Sequence, residues 1–142
     1  MIVMILILLA TTNSFINEFR KEQDIDKNKD IAIIYMEMID CVKCYIEPME
    51  MADFLTQNYK NIELFAAVNC DREIELKVFK RDKSWKYKMF IDEDRKTRSK
   101  LSGGEEIYMT IIKANGETKH FTKSREQNTT QENIKRVKEF MK

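Results

Sequence analysis

Residues 31–38, IAIIYMEM, form a near-continuous apolar run rich in β-branched side chains, and the run leads into Cys41-Val42-Lys43-Cys44. A strand covered on one face alternates apolar with polar residues, whereas one covered on both faces does not, so this run reads as a buried strand of a parallel sheet. Parallel strands need crossover connections, usually helices. Helical spacing does follow: between Val42 and Tyr59, Ile46, Met49, Phe54 and Leu55 fall on one face. Pro48 sits one turn in, where it is expected to kink or break the helix. A cysteine pair at a strand-to-helix junction has its first sulfur at a helix N-terminus, where the macrodipole and unbonded N–H groups favour a thiolate.

Downstream, Ile62–Val68 (IELFAAV) reads as a second strand, and Arg72–Lys83 as a helix carrying Ile74, Leu76, Val78 and Phe79. Trp85–Ile91 alternates and is predicted to be a short strand; Asp92–Gly104 is polar and reads as a long loop. Ile107–Lys113 and Glu117–Lys123 flank Ala114-Asn115-Gly116, a strong hairpin signal. Asn128-Thr129-Thr130 offers caps to a closing helix with Ile134, Val137, Phe140 and Met141 on one face. The order is β-α-β-α-β, loop, hairpin, helix, an α/β chain around a mixed central sheet. Three Gly and one Pro are too few for an all-β chain of many tight turns.

The first ten residues, MIVMILILLA, are apolar, and no charge occurs before Glu18. Residues 1–17 are read as a signal peptide or an N-terminal membrane anchor, with an element of the fold as the alternative. Residues 18–30 read as a charged linker and residues 31–142 as the folded domain. An export signal or anchor places the protein in the cell envelope or periplasm, or outside the cell, with the N-terminus as a tether to the membrane. The 25 Lys and Arg against 24 Asp and Glu offer no basic patch for nucleic acid.

Cys41, Cys44 and Cys70 are the only cysteines, too few for a disulfide-stapled scaffold, and a C-x-x-C pair beside a strand–helix pattern reads as redox. A zinc site needs four ligands, and with one histidine, His120, the supply is thin. Cys70 follows the second strand; if that strand runs parallel to the first, it shares the dithiol's edge. It reads as a small buried hydrophobe, with a redox role as the sharper alternative. Glu37 is the nearest carboxyl group for proton transfer, and His120 reads as a satisfied or surface histidine. The nine methionines read as core filling.

With CVKC at its junction, Pro48 shortly after it and the hairpin IYMTIIKANGETKHF, residues 31–142 resemble the thioredoxin superfamily. They resemble most the bacterial envelope thioredoxin-like proteins of the TlpA and ResA kind. The resemblance implies a thioredoxin-like fold, a βαβ unit followed by a helix, a β-hairpin and a C-terminal helix. It implies a disulfide oxidoreductase whose one redox group is the Cys41–Cys44 disulfide, with no metal and no other cofactor. Cys41 would attack and Cys44 resolve, with Lys43 lowering and Asp40 raising the pKa of Cys41. Implied partners are protein or small-molecule thiols or disulfides and an upstream electron donor, with the chain a monomer. Tyr108, Met109 and Thr110 would line the substrate groove. The chain has Asp40 where the superfamily has an aromatic residue, Tyr35 where it has a buried acid, and Tyr108 or Met109 where it has a cis-proline. The missing cis-proline and acid leave a binding module without turnover as the alternative, and the three sulfurs leave a metal-binding thiol protein as another.

Overall fold

The computed structural model describes residues 2–37, 43–102, 107–122 and 129–142, of which 2–3, 5–11, 43–45 and 129 are described by their backbone alone. In chain order the elements are α1 (Ile2–Glu22), β1 (Asp30–Glu37), α2 (Lys43–Asn58), β2 (Ile62–Asn69), α3 (Glu73–Asp82) and β3 (Lys88–Ile91). A 3-10 turn (Glu93–Arg95), α4 (Lys96–Ser102), β4 (Ile107–Ile112), β5 (Thr118–Thr122) and α5 (Thr129–Phe140) complete it.

The five strands form one mixed sheet in the order β3-β2-β1-β4-β5. β1 is central, parallel to β2 and antiparallel to β4; β3 lies parallel outside β2, and β5 antiparallel outside β4. Both faces of β1 are covered, which is why its sequence does not alternate. Ala32, Ile34 and Met36 pack with Met51 and Leu55 of α2, Phe79 of α3 and Val137 of α5. Ile31, Ile33 and Tyr35 pack on the other face with Ile16 and Phe19 of α1, Phe65 of β2 and Leu101 of α4. Each fully buried Ile contributes about 1.5–3 kcal/mol, so this one strand supplies much of the driving force.

The hairpin, the second strand and the amphipathic α5 stand where the sequence placed them, and the third strand is shorter than read, Lys88–Ile91 rather than Trp85–Ile91. Gly116 takes the positive φ (93°) that the β4–β5 turn requires, and its N–H donates to the Lys113 carbonyl at 2.9 Å. α2 runs unbroken through Pro48, and its buried stripe is Pro48, Met51, Ala52 and Leu55, leaving Ile46 half exposed rather than inward.

Two further boundaries differ from the sequence reading. Residues 92–102 are not a loop, while Gly103 and Gly104 lie outside the described residues. The buried Asp92 carboxylate accepts from the N–H groups of Thr97 (2.6 Å) and Arg98 (3.4 Å), starting α4, whose Leu101 enters the core. Residues 18–30 are not a solvated linker either. Phe19 sets its ring edge-on to Phe65 at 5.3 Å, Ile25 is buried, and the Arg20 guanidinium donates to the carbonyls of Asp26 and Lys29 at 3.2 and 2.8 Å. One aromatic per turn suffices to dock a charged helix, so the folded body begins before residue 31.

Candidate active site

β1 and β2 run parallel with Glu37 opposite Asn69, so both end at one edge of the sheet. From that edge the chain enters α2 at Lys43 and α3 at Glu73. Lys43 and Cys44 are the first two residues of α2, in agreement with a strand-to-helix junction at the cysteine pair. Asp40 and Cys41 lie outside the described residues, as do Met38 and Asn128.

Glu37 is held by three partners. Asn69 donates its Nδ2 to the carboxylate at 2.8 Å, Arg95 approaches with Nε at 2.6 Å, and Arg98 with Nη2 at 3.5 Å. The Arg98 guanidinium also lies 5.1 Å from the ring centre of Tyr35. Burial lowers the Arg98 pKa, and the Glu37 charge works against that shift. Arg95 reaches this position because Asp94 and Arg95 both adopt left-handed backbone (φ 53° and 57°), while the Asp92 N–H is bound to the Val68 carbonyl at 2.8 Å. Glu37 is thus an ion-paired anchor of the strand end. Neither arginine was singled out from the sequence, because both fall in the polar stretch read as a loop; Asp92 as a cap was the one signal available.

On the face opposite α2, the Tyr35 and Thr110 hydroxyls are 2.9 Å apart, and Thr110 Oγ1 is 2.9 Å from His120 Nδ1. Tyr35 is buried, and burial pushes its hydroxyl pKa well up, so it stays neutral. Where the resemblance sets an acid, this chain holds a neutral hydroxyl fixed in a buried chain of hydrogen bonds. His120 is satisfied there, as expected.

The three residues assigned to a substrate groove do not form an open one with their side chains. Met109 and Thr110 have no exposed surface, and Met109 packs under α2 while Thr110 turns to Tyr35. A register irregularity between Ile107 and Met109 brings Tyr108 to the face of Met109, where its buried hydroxyl is hydrogen-bonded to Asn133. The cause is position: β4 is an inner strand covered on both faces.

Cys70 follows β2 at the shared edge, as the topology required, but it is buried among apolar residues of the α2 face. Its thiol points to the Arg72 carbonyl at 3.9 Å. Burial pushes its pKa up, and the charges of Glu75 and Asp71 add to the shift. A thiol held protonated is a poor nucleophile. Among the described residues, no group of three His, Cys, Asp or Glu side chains could hold a metal ion.

No protein-family model matches this chain, and no curated protein matches it in sequence. Solved structures do match it. A secreted Mycobacterium tuberculosis disulfide oxidoreductase homologous to E. coli DsbE superposes with a TM-score of 0.59 at 12% identity, over 79% of this chain and 82% of that one. MTB DsbF gives 0.58 at 13% identity, over 79% and 81%. The thioredoxin domain of a thiol-disulfide oxidoreductase from Bacteroides vulgatus gives 0.56 at 11%, over 82% and 81%. At these identities the likeness speaks to the fold, and the fold is thioredoxin-like.

Proposed function

We propose that the chain is a thiol–disulfide oxidoreductase working through Cys41 and Cys44. The carrying observation is the sequence CVKC at the β1-to-α2 junction of a thioredoxin-like sheet, with Cys44 in the first turn of α2. In the reducing direction the Cys41 thiolate attacks one sulfur of a substrate disulfide, and the other substrate sulfur leaves as a thiolate and takes up a proton. The Cys44 thiolate then attacks Cys41 Sγ, and the second substrate thiolate departs. Two electrons have moved to the substrate, leaving a Cys41–Cys44 disulfide that an upstream dithiol reduces again. Lys43 favours the Cys41 thiolate and Asp40 opposes it. The secreted nature of the M. tuberculosis neighbour supports export of this chain to the envelope or beyond.

Trapping tests this directly. The Cys44→Ser variant should accumulate a mixed disulfide with partner thiols, and Cys41→Ser should not. No trapped species from either variant, with Cys41 alkylating no faster than a free thiol, overturns the assignment. One observation favours the second reading, a binding module without turnover: Glu37 is ion-paired and Tyr35 is a bonded neutral hydroxyl, so neither is a free proton acceptor. A Cys41→Ser/Cys44→Ser double variant that keeps full biological activity selects that reading.

A further inference from the structure

α5 carries a polar side chain in its core-facing stripe. Asn133 is 2% exposed and lies one turn before Val137, which has no exposed surface. Its Oδ1 accepts from Arg136 Nη1 at 3.4 Å, and the buried Tyr108 hydroxyl is bonded to the same amide. The Asn133 Nδ2 is buried and has no acceptor. A buried donor left unbonded carries its full desolvation cost, and an apolar side chain at this core position would remove it. The amide therefore holds a donor ready for an acceptor that the described residues do not supply.

Two charges adjoin this amide. Arg136, half-buried on α5, rests over the Phe121 ring at 5.6 Å. Glu47 is half-buried on the neighbouring α2, and the two charges act on the Tyr108 hydroxyl with opposite sign. Other half-buried glutamates are paired, Glu37 with Arg95 and Arg98, Glu63 with Lys29 and Lys88. Among the described residues, neither Glu47 nor Arg136 has an ion-pair partner. Glu47 is one helical turn beyond Cys44 in α2, and the antiparallel β4 brings its start, with Tyr108, towards the edge at which β1 ends. The unbonded amide and its two charges thus lie beside the first turn of α2.

We infer that Glu47, Asn133 and Arg136 form a subsite for a zwitterion, and that the exchange substrate is the disulfide of a thiol-bearing amino acid or short peptide. The Arg136 guanidinium and the Asn133 Nδ2 take the substrate carboxylate, and the Glu47 carboxylate takes the ammonium. Such a ligand supplies an acceptor to the unbonded donor and a partner to each charge at once. A free amino acid or short peptide brings both charges close to its sulfur, whereas a cysteine inside a protein chain has neither terminus. The inference rests on the proposed exchange for its chemistry: two electrons pass from the Cys41–Cys44 dithiol to the substrate disulfide, which leaves as two thiols.

Reduced full-length protein is mixed with cystine, which carries both charges, with cystamine (ammonium only), with dithiodipropionate (carboxylate only) and with hydroxyethyl disulfide (neither). Oxidation of the protein is read by mass after alkylation, and each rate is divided by that of the same disulfide with free dithiothreitol. Each charge should add about tenfold, so cystine should outrun hydroxyethyl disulfide about a hundredfold. Arg136→Gln should cost cystine and dithiodipropionate about tenfold relative to cystamine. Glu47→Gln should cost cystine and cystamine about tenfold relative to dithiodipropionate. Cystine no faster than hydroxyethyl disulfide on the parent chain overturns the inference, whatever the variants do. So does either variant slowing all four disulfides alike. In both cases the protein is still oxidised and the exchange reading stands; a protein that none of the four oxidises loses the exchange and this inference together.

Discussion

Arg95 Nε lies 2.6 Å from the carboxylate of Glu37, tying the last residue of β1 to a turn built of two left-handed residues. Arg98, only 14% exposed at its side chain, shares the same carboxylate. Glu37→Gln takes from the largely buried Arg98 the nearer of its two carboxylates, leaving the charge of Asp92. The pair is partly exposed, so the expected loss is about 1–2 kcal/mol, less than for a fully buried pair. Urea unfolding measures it. A general base would cost about 100-fold or more in rate when removed, and the Gln variant is expected to lose far less. A collapse of exchange with unchanged stability would make Glu37 a proton acceptor after all.

Tyr35 and Thr110 test the buried hydroxyl chain through an asymmetry. Tyr35→Phe removes one partner but leaves Thr110 its contact with His120, so about 1 kcal/mol should be lost. Thr110→Val strands the Tyr35 hydroxyl in the core and should cost about 1–3 kcal/mol. Chemical denaturation of both variants and the double variant gives the coupling. Equal costs with no coupling would mean that the hydroxyls are not bonded.

Cys70 should react slowly with iodoacetamide in the native state, because its pKa is raised chiefly by burial. Its alkylation should quicken only as pH passes above the ordinary thiol range. The sign for stability follows: the folded state favours the protonated thiol, so the contribution is complete below the unfolded pKa and is lost as pH rises through the folded one. Cys70→Ala should flatten that alkaline loss and leave exchange by the other two cysteines intact. Rapid labelling of Cys70 at neutral pH would contradict the buried placement.

The sequence announced those elements whose signal is periodic and local. β1 declared its two covered faces by not alternating, Asn115-Gly116 declared the hairpin, and Val137 with its neighbours declared α5. What stayed hidden depends on contacts distant in sequence. Phe19 docks a charged helix through Phe65 and Phe90, and Arg95 becomes a site residue only because Glu37 lies opposite. Helix ends were hidden for a different reason. Among the described residues, left-handed positions other than Gly116 fall to Asp24, Ser84, Asp94 and Arg95, residues that do not mark a turn as glycine does.

Ser84 turns this into a stability prediction. α3 ends with the Trp85 N–H donating to the Lys80 carbonyl at 3.0 Å and the Ser84 N–H to the Arg81 carbonyl at 3.2 Å. Ser84 itself sits at φ 52°, the place that a helix end of this type usually gives to glycine. A left-handed residue with a Cβ costs about 1–2 kcal/mol, and glycine returns part of that relief as unfolded-state entropy. Ser84→Gly should therefore stabilise by about 0.5–1 kcal/mol, raising Tm by about 2–4 °C. Asp24→Gly should act alike, since the Ile25 N–H donates to the Arg20 carbonyl at 2.8 Å around an Asp24 at the same φ. Ser84→Val should lower Tm, because a β-branched side chain fits that backbone worst. Calorimetry on the three variants decides it; a lower Tm for Ser84→Gly would show that the serine hydroxyl, rather than the backbone, sets the helix end.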